Sequence, residues 1–228
     1  MRFFADTHFA YTVVALSVVT LVAVNAERVV AEESRWESAI QAFEEQDAKQ
    51  APPKNGIVFV GSSSIRKWDL AKSFPDLEPI NRGFGGSEVS DSVEFAERII
   101  LKYDPRIVVV YAGDNDIAHD KTPQQVCNDF KQLVGMIHAK LPKTKIVYIA
   151  VKPSIKRWAL VQQVREANRL ITEVAVKNER LEFVDIDKPM IGSDGMPRNE
   201  LFVKDGLHLS AEGYALWTAL VKPHLVRD

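Results

Sequence analysis

Along the chain, short β-branched runs alternate with longer stretches in which apolar residues return every three or four positions. The short runs are 57–60, a weaker one near Ile80, 107–111, 146–151 and 181–186. The runs 57–60, 107–111 and 146–151 are unbroken by a polar residue, and all five are read as strands buried on both faces. Between them lie helical stripes. Trp36, Ile40 and Phe43 share one face of a charged segment that Pro52 and Pro53 bring to a stop. Thr122-Pro123-Gln124-Gln125 reads as a capping box with proline at the first helical position, opening a stripe of Val126, Phe130, Leu133, Val134 and Ile137. A further stripe is Leu160, Val164, Ala167, Ile171 and Val174, and a last helix, capped by Ser210, carries Tyr214, Leu216, Trp217, Leu220 and Val221. Alternation of this kind predicts an α/β fold, a parallel sheet of five strands with helices on both faces.

The start of the chain departs from this pattern. Positions 10–24 are free of charge, and Val24-Asn25-Ala26 supplies a small residue at a cleavage edge. Residues 1–26 therefore read as a secretory signal peptide, and the 15-residue apolar run falls short of the ~20 residues that span a bilayer. The expected location is secreted or periplasmic, with an uncleaved N-terminal membrane anchor as the alternative. Residues 27–55 form an N-terminal helix and proline-containing connector, and 56–228 form the main domain. With 228 residues, 46% of them hydrophobic, the chain is long enough for one well-buried core. It carries 29 basic and 31 acidic residues, interleaved along the helices, so no basic patch marks a nucleic-acid partner. Cys127 is the single cysteine; it excludes an intrachain disulfide and reads as a structural thiol on a helix.

Four short blocks carry polar chemistry: Gly61-Ser62-Ser63-Ser64, Gly83-Phe84-Gly85-Gly86, Gly113-Asp114-Asn115-Asp116 and Asp205-Gly206-Leu207-His208. In this order they resemble the SGNH/GDSL hydrolases, over residues 33–226. The resemblance implies a three-layer α/β/α sandwich whose flavodoxin-like sheet runs in the order 2-1-3-4-5. In such a sheet the crevice opens between strands one and three, with Ser63 and Asn115 facing each other across it. It also implies that Ser63 is the nucleophile of a serine esterase, and that the oxyanion is held by the backbone N–H of Ser63, the backbone N–H of Gly86 and the Asn115 amide. His208 is the candidate base, with a carboxylate three residues earlier, and Asp205 would fix its tautomer. One position departs from the family: Ser62 stands where an aspartate precedes the nucleophile, as in a bacterial branch with Gly-Ser-Ser-Ser. Ile65 occupies the last position of Gly-x-Ser-x-Gly, against an α/β-hydrolase nucleophile elbow.

Simpler readings explain each block alone. The serines could cap a helix, Gly83 to Gly86 could be only a turn, and Asp205 with His208 could be a surface ion pair. Glu88 replaces the last glycine of a dinucleotide fingerprint, and Ala118 and His119 break a calcium-loop pattern, so no cofactor and no metal are expected. Arg66, Lys152, Arg157 and Trp158 follow strand ends, where long side chains commonly form only a rim. His8, His119, His138 and His224 have no distinguishing neighbours in sequence. The resemblance implies ester substrates: O-acetylated carbohydrates, short acyl esters or lysophospholipids, with thioesters as a variant. The contrasting class is a non-catalytic flavodoxin-like protein that binds a phosphate or a carbohydrate.

Overall fold

The structure, a computed structural model, describes residues 34–226; the expected signal peptide at 1–26 lies outside the described residues. In chain order the elements are α1 (Glu37–Lys49), β1 (Ile57–Gly61), α2 (Ser63–Arg66), α3 (Leu70–Ser73), β2 (Ile80–Gly83), α4 (Val89–Glu94) and α5 (Ala96–Ile99). There follow β3 (Ile107–Tyr111), α6 (Asp114–Ala118), α7 (Pro123–Lys140), β4 (Lys145–Ile149), α8 (Val161–Ala175), β5 (Leu181–Val184), α9 (Asp187–Met190) and α10 (Ala211–Val221). The five strands form one sheet in the order β2-β1-β3-β4-β5, every pair parallel. Among the described residues no helix is long and apolar enough to cross a membrane.

Alternate strand residues feed two cores, as the pleat requires. Val60, Val108, Val110, Ile146 and Tyr148 face Val93, Ile99, Phe130, Leu133, Ile137, Val164 and Ile171, the inner stripes of α4, α5, α7 and α8. Ile57, Phe59, Ile107, Val109, Tyr111, Val147 and Ile149 face the other layer, where Trp68, Phe74, Trp217 and Val221 pack. Helix α1 joins the first layer through fully buried Ile40. Two arginines tether it: buried Arg82 of β2 pairs with Asp47, and Arg98 bridges Glu37 and Glu44. The capping box at Thr122 and the Ser210 cap form as the sequence indicates.

Strand ends differ from the sequence reading for identifiable reasons. The apolar run 146–151 leaves the sheet after Ile149 because the Asn168 side chain of α8 takes the place of a strand, accepting from the Val151 N–H at 2.8 Å and donating to its carbonyl at 2.9 Å. The run 181–186 stops at Val184, where Asp185 turns the chain by accepting from the Asp187 N–H at 2.9 Å. As an edge strand β5 leaves Glu182 and Phe183 half-buried, so it is not covered on both faces like the inner strands. Leu160 sits in a 3-10 turn at 158–160 that precedes α8.

Gly61 ends β1 at φ +134°, and a Cβ there would lie 1.9 Å from the Tyr111 carbonyl oxygen of β3. Backbone cannot give way as a side chain can. Gly61→Ala is therefore expected to destabilise the fold by about 2–6 kcal/mol, the sum of a strained dihedral and overpacking. Gly135, exposed in the middle of α7 with nothing within 4 Å of its would-be Cβ, is the contrasting case. Gly135→Ala should raise stability by about 0.5–1 kcal/mol, and urea unfolding of both variants checks the pair.

Candidate active site

Strand order reverses between β1 and β3, and the four polar blocks converge there beyond the carboxyl ends of the strands. Ser63 is the first residue of α2, directly after β1, and Asn115 is the second residue of α6, directly after β3. Gly86 lies in the turn between β2 and α4, and Asp205 and His208 lie in the loop before α10. That loop is closed on itself: the Val203 N–H donates to the His208 carbonyl and the Gly206 N–H to the Val203 carbonyl, both at 2.9 Å. The Tyr214 hydroxyl of α10 donates to the Ser64 carbonyl at 2.9 Å, tying the last helix to the segment that holds Ser63.

Three side chains form a continuous chain. Ser63 Oγ is 3.0 Å from His208 Nε2, and His208 Nδ1 is 2.6 Å from Asp205 Oδ2. The other Asp205 oxygen accepts from the backbone N–H groups of Leu207 at 2.8 Å and His208 at 2.9 Å. Burial pushes the Asp205 carboxyl up, but these hydrogen bonds, led by that of the imidazole, outweigh it and hold the group well below the usual carboxylate range. An ionised Asp205 keeps the proton on Nδ1 and leaves the Nε2 lone pair facing the serine hydroxyl.

Donors gather next to the serine. As the first residue of a helix, Ser63 has an N–H with no intrahelical partner. Among the described residues neither this N–H nor that of Gly86 is hydrogen-bonded. Gly86 reaches its turn conformation at φ +83°, a left-handed value that favours glycine. The Asn115 amide nitrogen donates to the Ser87 carbonyl at 2.9 Å, which brings it against the Gly86 turn and leaves its second hydrogen unused. Ser62, buried at 3% exposure, takes no side-chain part in the Ser63–His208–Asp205 chain; its N–H donates to the Tyr111 carbonyl at 3.0 Å.

Two residues read in sequence only as rim prove central. Lys152, 2% exposed, projects from the end of β4 into the protein, where Nζ lies 2.6 Å from Asp114 Oδ2, 2.9 Å from the Tyr111 hydroxyl and 3.3 Å from Ser64 Oγ. Arg157 pairs with the other Asp114 oxygen and donates to Asn115 Oδ1 at 3.1 Å. With its oxygen held by Arg157 and its nitrogen on Ser87, the Asn115 amide has one orientation. Burial would raise the Asp114 carboxyl, but Lys152 and Arg157 outweigh it and keep it low. Asp116, two residues on and fully buried, has the opposite fate: burial raises it to about 6 despite the Val89 N–H and Lys121. His119 and His224, undistinguished in sequence, pair with Glu88 and Glu182 outside this site, and His138 Nε2 meets the Thr144 carbonyl at 3.0 Å. Cys127 is buried in the α7 core. Among the described residues no cluster of three or more His, Cys, Asp or Glu is arranged to hold a metal.

Two consequences can be measured. Lys152→Met leaves a buried carboxylate with one cation fewer and should cost about 3–5 kcal/mol in urea unfolding, with part recovered in the double variant with Asp114→Asn. For Asp116, the folded state binds a proton more tightly than the unfolded chain. The stability this contributes is present below 3.8, the ordinary aspartate value, and is lost as pH rises through about 6. Asp116→Asn removes that dependence, so its stability relative to the parent should increase between pH 4 and pH 6.5 and be level above.

Comparison with known proteins fits this architecture. Among solved structures, a protein from Streptococcus pneumonia described as a platelet activating factor superposes with a TM-score of 0.74 at 22% identity, covering 83% of this chain and 92% of its own. An acylhydrolase from Bacteroides fragilis gives 0.71 at 23% identity, with 81% and 94% covered. An acetylxylan esterase from Geobacillus stearothermophilus gives 0.63 at 13% identity, with 77% and 96% covered. No curated protein matches the chain. The profile of the GDSL-like Lipase/Acylhydrolase family matches residues 60–216, a stretch that contains all four blocks, and the chain belongs to that family.

Proposed function

We propose that the protein is a cofactor-independent serine esterase acting on short acyl or O-acetyl esters, with Ser63, His208 and Asp205 as its triad. The observation that carries this reading is the unbroken Ser63–His208–Asp205 hydrogen-bond chain, 3.0 and 2.6 Å long, built from segments far apart in sequence. A surface ion pair explains Asp205 and His208 alone, but not a serine at the helix start aimed at the free imidazole nitrogen.

In the first step Ser63 Oγ attacks the ester carbonyl while its proton passes to His208 Nε2, and the carbonyl π pair moves onto oxygen. That oxyanion meets the unpartnered N–H groups of Ser63 and Gly86 and the remaining hydrogen of the Asn115 amide. As the C–O bond to the alcohol breaks, the imidazolium protonates the leaving oxygen. The acyl-Ser63 ester is then attacked by water, whose proton goes to Nε2, and a second collapse returns the proton to Oγ and frees the acid. Asp205 stays ionised throughout and stabilises the imidazolium.

The openness of the site on one side supports a large alcohol half. The Asp205 side chain is 41% exposed and Ile155, beside Gly206, is 36% exposed, so the His208 side from which the alcohol departs is open. The acetylxylan esterase among the structural neighbours is consistent with that preference. Ser62 stands where the family's aspartate precedes the nucleophile, which fits a Gly-Ser-Ser-Ser branch and, on this reading, leaves the chemistry unchanged. A phosphate-binding, non-catalytic reading gives no role to the His208–Asp205 pair.

The test is hydrolysis of 4-nitrophenyl acetate and longer acyl esters, with a thioester and a lysophospholipid alongside. The parent should favour acetate. Ser63→Ala and His208→Ala should each lower kcat/KM by at least about a thousandfold, and Asn115→Ala should lower kcat by about a hundred- to a thousandfold. Activity that survives in Ser63→Ala would assign the nucleophile elsewhere.

A further inference from the structure

Ten arginines lie between residues 34 and 226, and eight of them bond to carboxylates or carbonyls: Arg82, Arg98, Arg157, Arg165, Arg169 and Arg198 to acids, Arg106 and Arg180 to backbone oxygens. The side chains of the remaining two, Arg35 and Arg66, make no hydrogen bond or ion pair among the described residues, and both line the same cleft. This cleft, of about 360 Å³, is walled by Trp36, Phe43, Phe84 and Gly85, and among the described residues no acid lines it.

The cleft adjoins the reacting centre. Arg66 is the last residue of α2, three positions after Ser63, so the two share a helix face with Cβ atoms about 5–6 Å apart. Its guanidinium lies flat against Gly85: a Cβ at that position would meet Cζ at 2.7 Å, Nη2 at 2.9 Å and Nη1 at 3.0 Å. Glycine at 85 is thus what lets the cation lie one residue from the Gly86 N–H. On the other side, Trp36 packs edge-on against Phe84 at 5.7 Å, and its Cη2 is 3.2 Å from where a Gly86 Cβ would stand. Arg35 caps this wall, its Cζ 4.5 Å from the centre of the Trp36 ring.

A guanidinium pinned beside a site, in a cleft with aromatic walls and no competing acid among the described residues, is a receptor for a planar anion. We propose that this cleft is a carboxylate subsite: the preferred substrate is an ester that also carries a carboxylate, bound by Arg66 with Arg35 as a second cation. This rests on the esterase reading for its place in the reaction, but the subsite itself does not require turnover.

The experiment therefore has a binding arm and a kinetic arm. In calorimetric titration, 3-phenylpropionate should bind the parent protein at low salt and 3-phenylpropionamide should not, and Arg66→Gln should weaken the carboxylate at least tenfold. Arg66→Lys, which keeps the charge but loses the fork, should fall between. In the kinetic arm, 4-acetoxybenzoate against its methyl ester places the carboxylate on the alcohol half, and the 4-nitrophenyl monoester of glutaric acid against 4-nitrophenyl butyrate places it on the acyl half. One of the two pairs should show at least a tenfold preference in kcat/KM for the charged member, set mainly in KM, and that ratio should collapse in Arg66→Gln and narrow in Arg35→Gln. Carboxylate binding no tighter than amide binding, or a preference that survives both substitutions, overturns the subsite. Loss of all ester turnover in the parent with carboxylate binding intact overturns the esterase reading instead.

Discussion

The buried carboxylate of Asp114 organises the site. It leaves β3 at the crevice and is clamped on one oxygen by Lys152 and on the other by Arg157, so the segments after β3 and β4 are held as one piece. Both cations reach onward: Lys152 to the Tyr111 hydroxyl and to Ser64, next to the serine, and Arg157 to the Asn115 amide. A buried ion pair is costly to assemble and costlier to break.

The flanking aspartates show how little of a residue's behaviour belongs to its type. Asp114 and Asp116 are separated by Asn115, both are buried, and their carboxyls move in opposite directions because two cations meet the first while the second has only a backbone N–H and a more distant lysine. The asparagine between them is fixed from both ends, its oxygen on Arg157 and its nitrogen on Ser87.

Much of the frame was legible in the sequence. Apolar runs located the strands and period and caps located α7, α8 and α10, because burial on a sheet and on a helix face leave different spacings. Ser63, Asn115, Asp205 and His208 stood out through local blocks, and the structure brings Ser63, His208 and Asp205 into one chain of hydrogen bonds and sets Asn115 beside the Gly86 turn. Lys152 and Arg157 did not stand out, since their partner Asp114 lies 38 and 43 residues away and no local pattern announces such a contact. The short helices at 63–66, 89–94 and 114–118 escaped because fewer than two turns show no period. Half-exposure of β5 follows from its place at the sheet edge, which strand order decides and composition does not.

The hydrogen bond from Ser63 to His208 joins positions 145 residues apart, and the helix that braces Ser64 through Tyr214 follows later still. A growing chain thus carries Ser63 long before it carries His208, the base of the proposed triad. On the proposed reading Ser63 keeps an ordinary alcohol's reactivity until α10 docks against Trp68 and the preceding loop brings His208 to it. If the proposed triad carries the reaction, ester hydrolysis has to wait until the segment bearing His208 has folded against the segment bearing Ser63.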